Sequence, residues 1–327
     1  MLARSKRFSR FAKSDPTSVA RIVNGPVRES LTGKDPFDIK RIVEEVLDIS
    51  GGNVDVPAGV DPALWDIMGK SLGQPVYKLL GGLCQDPIPV DHTIGGSEPA
   101  AMAEEARQAL EKGFRGVVVK VDAESIERDV QRVRSVRDVL PAGCTVRVDC
   151  NGGFSRDTAK PFLESIAGMD IEFVEQPVAA SDIEGLRACR TVGVPISVDE
   201  SVITLRDALE VVSHNACDIM NIKVPRVGGL LLAKRMVAVA AAAGVPVVVG
   251  GRTALQLSRY TSRHLAASTP GSIGRKHEGP GPLSRALSDD VVTNWTTQKN
   301  GYVRVERSPG MGYEIVWDKV QRYAMSS

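Results

Sequence analysis

From about residue 87 onward the chain alternates short β-branched runs with longer amphipathic stretches, the pattern of repeated βα units around a parallel sheet. Strands are predicted over Ile88 to Thr93, Val117 to Val121, Thr145 to Asp149, Glu172 to Glu175, Pro195 to Asp199, Asp218 to Lys223 and Pro246 to Val249. Their centres recur about every 25 residues, which leaves no room for large insertions. The intervening stretches read as helices: in Ala123 to Leu140, Ile126, Val130, Val133, Val136 and Leu140 mark one face among Glu, Arg, Asp and Gln. Seven or more such units in one run predict a closed barrel.

In such a barrel the chemistry gathers where strands end. The second strand ends near Lys120, the third at Asp149, the fourth at Glu175, the fifth at Asp199 followed by Glu200, and the sixth at Lys223. Strands buried on both faces are expected to be apolar, so charges at five successive carboxyl ends point to a site. Strands three to five are neighbours, so Asp149, Glu175 and Asp199 converge and repel one another. Mg²⁺, or Mn²⁺ in its place, removes that conflict because it takes hard oxygen ligands and keeps positions open for a substrate. Strands two and six lie on opposite sides of the barrel, so Lys120 and Lys223 face each other across the metal site. Two opposed bases suit removal and return of a proton alpha to a carboxylate, with the divalent ion stabilising the charge that develops.

Composition narrows the partners. The 327 residues carry 41 basic and 40 acidic side chains, a net charge of +1, which gives no field drawing the chain to nucleic acid or an anionic membrane. The apolar stretch Met236 to Val249 is broken by Gly244 and Pro246 and is shorter than the roughly 20 residues needed to span a bilayer. Five cysteines, an odd number without CxxC spacing, fit a reducing compartment and hence the cytoplasm. Met1 to Ser14 carries five basic residues and no acid, and reads as a tail or lead-in rather than a transit peptide. A small carboxylate substrate and a homo-oligomeric state are expected.

Ordered motifs add a family resemblance. The stretch Ala63 to Gly82 resembles the signature of the enolase superfamily, in its mandelate racemase and muconate lactonizing enzyme branch. Asp149-Cys150-Asn151 is similar to that family's Asp-x-Asn, Glu175-Gln176-Pro177 to its Glu-Gln-Pro, and Asp199-Glu200-Ser201 to its Asp-Glu-Ser. Asn221-Ile222-Lys223 before Gly228-Gly229 resembles its second base motif, and Ser308 to Gly312 its closing turn. The resemblance implies a modified TIM barrel, (β/α)7β, with an α+β capping domain, bound Mg²⁺ and an enolate intermediate. Paired lysines match the muconate lactonizing subgroup. Racemisation or epimerisation is the expected reaction, with cycloisomerisation or dehydration as the alternative of the same kind.

The resemblance has gaps. The family's Lys-x-Lys on strand two is Val118-Val119-Lys120 here. The opening residues show no strand alternation, so the cap is expected to be partial: 1–34 a basic tail or cap remnant, 35–86 its helical part, and 87–327 the barrel with a C-terminal segment returning to the cap. A catalytically impaired, truncated paralogue with a structural role is therefore the alternative of another class. Dipeptide epimerases carry acids after strand seven, and Arg252 to Gln256 has none, which argues against a dipeptide; Arg252 either meets a second anionic group of the substrate or is solvated. Asn151 and Gln176 are expected to orient the metal ligands. Glu200 either holds Lys223 or starts a helix, and His92 either reaches the mouth or is satisfied within the barrel.

Overall fold

The computed structural model describes residues 15–95, 98–251, 254–270, 289–293 and 298–323. Its first part is helical. Helix α1 (Pro16–Ile22) starts where the Asp15 carboxylate accepts the N–H groups of Thr17 and Ser18, with Pro16 at the first helical position. A segment kinked at Gly25 and followed by Pro26 leads into α2 (Arg28–Leu31). Helices α3 (Ile39–Ile49), α4 (Pro57–Ser71) and α5 (Val76–Leu79) complete this layer. Ile39, Ile42, Val43 and Val46 form the buried stripe of α3 and share one core with Val27, Val56 and Leu64. Residues 16–31, which sequence reading assigns to a tail or remnant, thus pack with the helices that follow.

The barrel begins after a short strand β1 (Ile88–Pro89). The predicted strand over Ile88 to Thr93 is split: β1 pairs antiparallel with a late strand, Ile88 with Val303, and only β2 (His92–Ile94) joins the main sheet. The chain then runs through α6 (Pro99–Glu111), β3 (Gly116–Lys120), α7 (Ile126–Val139), β4 (Thr145–Asp149), α8 (Arg156–Ile166), β5 (Ile171–Glu175) and α9 (Ile183–Cys189). It continues through β6 (Ile196–Val198), α10 (Leu205–Ser213), β7 (Ile219–Ile222), α11 (Leu230–Ala242), β8 (Val247–Val249) and α12 (Gln256–Ala267). Strand β9 (Tyr302–Val303) and helix α13 (Trp317–Tyr323) follow. Among the described residues β2 to β8 form one seven-stranded sheet in sequential order, every pair parallel. No described helix is long and apolar enough to cross a membrane.

Alternation along the strands builds two cores. Val117, Val119, Val146, Val148 and Val174 face the helices in the main core. On the other face Phe173, Ile219 and Val248 form a separate cluster, and the buried Arg147 lies over the Phe173 ring while pairing with Asp91 and Glu172 at 2.8 Å each. Val118 stands beside Arg147 in the sheet register and is fully buried. Late in the chain, Gly310 exchanges backbone hydrogen bonds with Gln74 and Val76, and Asp66 accepts the N–H of Met311.

Candidate active site

The carboxyl ends of β3, β4 and β5 are level: Lys120 pairs in register with Asp149, and Asp149 with Glu175. Asp199 and Lys223 lie one residue beyond β6 and β7, where each strand has released its ladder. Asp149, Glu175 and Asp199 are each about 1% exposed. Burying three carboxylates so deeply requires nearby positive charge.

Two lysines and an arginine supply it. Lys120 is ion-paired with Asp149 and donates to Asn151 Oδ1 at 2.8 Å. Lys223 is 2.6 Å from Asp199 Oδ2 and 3.5 Å from Glu175 Oε1. Arg226 reaches the other Asp199 oxygen at 2.6 Å and Glu200 at 3.8 Å. Asn151 donates to Glu200 Oε1 at 3.1 Å, so these contacts run as one chain: Lys120, Asn151, Glu200, Arg226, Asp199, Lys223 and Glu175. Lys120 and Lys223 stand at different ends of the carboxylate row.

The loops are held to match. Asn151 and Gln176 follow the strands that end in Asp149 and Glu175 with φ near +44° and +43°, a left-handed turn that residues other than glycine rarely adopt. Gln176 Oε1 accepts the N–H of Asp199 at 3.0 Å and of Ser201 at 3.1 Å, and its Nε2 donates to Ser201 Oγ at 2.8 Å. That amide fixes the spacing between Glu175 and Asp199. Asn221 Nδ2 donates to Glu175 Oε1 at 2.9 Å.

Electrostatics follow from burial. Burial raises the Asp149 pKa, and the charge of Glu175 raises it further against the pull of Lys120 and Lys223. Glu200 is pushed up to about 7, by burial first and then by Asp199. Burial penalises the charged form of Lys223, yet the charges of Asp199 and Glu175 outweigh it and hold its pKa above the ordinary lysine value.

The donor set suits a hard divalent cation: three buried carboxylates on adjacent strand ends, with Glu200 Oε2 also buried and without a hydrogen-bond partner. Among the described residues, however, no three acidic, histidine or cysteine side chains close around a common point. The Lys223 ammonium group bridges Glu175 and Asp199 instead, and Lys120 pairs with Asp149. A cavity of about 610 Å³ lies elsewhere, among cap residues such as Val19, Leu31, Val60 and Leu64, and touches none of these groups.

The structure bears on two alternatives that the sequence leaves open. His92 opens β2 instead of ending it and faces the helix layer, with Nε2 2.9 Å from Glu105 on α6 and its ring against Phe114, so it does not reach the mouth. Glu200 holds Asn151 and Arg226 rather than contacting Lys223, and it precedes α10 by a full turn, where Thr204 is the cap. Arg252 lies outside the described residues. Sequence reading missed Arg226 and the bond from Asn221 to Glu175; the one signal was their place within three residues of Lys223.

Residues 101–319 match the family model described as enolase C-terminal domain-like, and residues 11–81 match the mandelate racemase / muconate lactonizing enzyme N-terminal domain. The chain belongs to the mandelate racemase / muconate lactonizing enzyme family. Among its relatives, an L-Ala-D/L-Glu epimerase from Clostridium acetobutylicum is 32% identical over 91% of this chain and 82% of its own length. Muconate lactonizing enzyme from Pseudomonas putida superposes with a TM-score of 0.89 at 25% identity, over 95% of this chain and 87% of that one. A dipeptide epimerase from Enterococcus faecalis, complexed with Mg and the dipeptide L-Leu-L-Tyr, superposes at 0.83 with 28% identity, over 90% and 82%. The modified TIM barrel with a capping domain is therefore this chain's fold, as it is theirs.

Proposed function

We propose that this chain is a racemase or epimerase that removes and returns the proton alpha to a carboxylate. The observation that carries the reading is the placement of Lys120 and Lys223 at separate ends of one buried carboxylate row. Asp149, Glu175 and Asp199 would hold Mg²⁺, which, when bound, coordinates the substrate carboxylate and offsets the negative charge developing as the proton leaves. Asn151 and Gln176 orient the loops that carry these groups, and Arg226 and Glu200 complete the charge balance. Lys120 and Lys223 give up protons more readily once the carboxylate charge they now neutralise is otherwise compensated. One lysine then takes the proton from one face of the alpha carbon and the other returns it to the opposite face. The substrate is a small carboxylate, and relatives that epimerise dipeptides support including peptides beside N-acyl amino acids among the candidates. The likeness to a muconate lactonizing enzyme supports cycloisomerisation as the second reading.

The test is proton exchange in D2O with Mg²⁺ over a panel of N-acyl amino acids and dipeptides, read by loss of the alpha-proton signal. The wild type exchanges both enantiomers of its substrate, whereas Lys120→Ala and Lys223→Ala each lose exchange of one. Equal exchange of both enantiomers by Lys223→Ala and wild type would remove the two-base assignment. A ring-closed or dehydrated product would select the second reading.

A further inference from the structure

Resting on the metal reading above, we infer that Asn221 is a positioning residue that keeps Glu175 in place independently of Lys223, and that Gly250 is the wall that fixes the Asn221 amide. Glu175 Oε1 meets Asn221 Nδ2 at 2.9 Å and Lys223 Nζ at 3.5 Å. The amide is the nearer of the two and makes a hydrogen bond of ordinary length. Asn221 is about 1% exposed, so water cannot take over the bond.

The orientation of that amide is set from the other side. Its Oδ1 is buried and has no hydrogen-bond partner. Gly250, one residue past β8, lies against this oxygen so closely that a methyl group there would overlap it. The Gly250 N–H is itself bonded to Ile222 O at 3.0 Å, which ties the wall to the strand carrying Asn221. Turning the amide over would set its carbonyl oxygen against the Glu175 carboxylate, two acceptors facing one another. Asn221 therefore presents only its donor to Glu175, and the small residue at 250 is what lets it fit.

The experiment is Mn²⁺ binding to the full-length chain, read by the electron paramagnetic resonance signal of free Mn²⁺, for wild type, Asn221→Ala, Gly250→Ala and the double variant. Loss of an outer partner of a metal ligand weakens binding by about 10- to 100-fold, and that loss is expected for each single variant. Because Gly250 acts through Asn221, the double variant should bind no worse than Asn221→Ala alone. Asn221→Ser, too short to reach Glu175, replaces Asn221→Ala if the latter does not fold. Wild-type affinity in Asn221→Ala overturns this inference while leaving the metal reading intact. Additive losses in the double variant overturn the role of Gly250. A wild-type chain that binds no Mn²⁺ overturns the metal reading and this inference together.

Discussion

The carboxylate of Asp61, on cap helix α4, accepts the backbone N–H of Leu230 at 2.5 Å and thereby caps barrel helix α11 from another layer of the protein. The N–H of Leu231 and the indole of Trp65 donate to the same side chain, both at 3.2 Å. The residue in the cap position itself, Gly229, has no side chain to offer, and a methyl group there would collide with Asp61. Since the loop before α11 carries Arg226 next to Lys223, Asp61 anchors one border of the active site. Asp61→Ala leaves buried N–H donors unpaired and should destabilise the protein by about 1–3 kcal/mol in chemical denaturation.

Burial pushes the Asp61 pKa up to about 6 despite its three donors. A carboxyl whose folded pKa exceeds its unfolded value stabilises the fold most when protonated. The contribution is complete below about pH 4 and is lost as the pH rises through about 6. The stability of wild type relative to Asp61→Asn should therefore fall by up to about 3 kcal/mol between pH 4 and 6.5. Denaturation midpoints of the two proteins across that range measure it.

Asp149, Glu175 and Asp199 predict a thermal response. A divalent ion bound only by the folded state raises its stability by about 2.7 kcal/mol at a hundred times the dissociation constant. Mg²⁺ should raise the melting temperature of wild type, and Glu175→Gln should abolish the increment. A wild-type melting point indifferent to millimolar Mg²⁺ and Mn²⁺ would remove the metal site.

Gly95, at the end of β2, lies against the stem of Lys120, where an added methyl group would crowd Cβ and Cγ of the lysine. Displacing a reacting group by about 1 Å costs up to a hundredfold in rate. Gly95→Ala should lower the exchange rate at least about tenfold while the Mg²⁺-induced rise in melting temperature persists. Paired kinetic and thermal measurements on one preparation separate the two effects.

Beneath the site, Arg147 is fully buried between Asp91 and Glu172. Removing one partner of a buried ion pair leaves the other charge uncompensated, a loss of about 3–5 kcal/mol. Arg147→Met should lose that much in urea denaturation, and adding Asp91→Asn should restore part of it.

How much of this was legible depends on whether a residue acts through local pattern or through contacts across the fold. The parallel barrel was readable because its valine-rich strands alternate with amphipathic helices, and Asp149, Glu175, Asp199, Lys120 and Lys223 stood out as charges where apolar strands end. The split of the first strand was not readable, since β1 turns aside to pair with Tyr302 and Val303, more than two hundred residues later. His92 stayed open between two readings because strand direction was known while its register was not: one residue decides which face a side chain takes. Arg226 sits in a turn and shows no periodicity, and only the folded loop brings it onto Asp199. Val118 occupies the position of a family lysine, and the charge beside it in the sheet is Arg147, engaged below the site rather than in it.

The bond from Met311 to Asp66 joins residues 245 positions apart, beside the Gly310 pairing with Gln74 and Val76. A ribosome that has finished the helices of the cap must still make the whole barrel before the segment that seals them emerges. Cap completion is thus a late event of synthesis, and the nascent chain carries unsealed apolar helices through most of its elongation. Exposure of the early helices to protease on stalled chains ending short of Gly310 follows from where one short stretch falls in the order of translation.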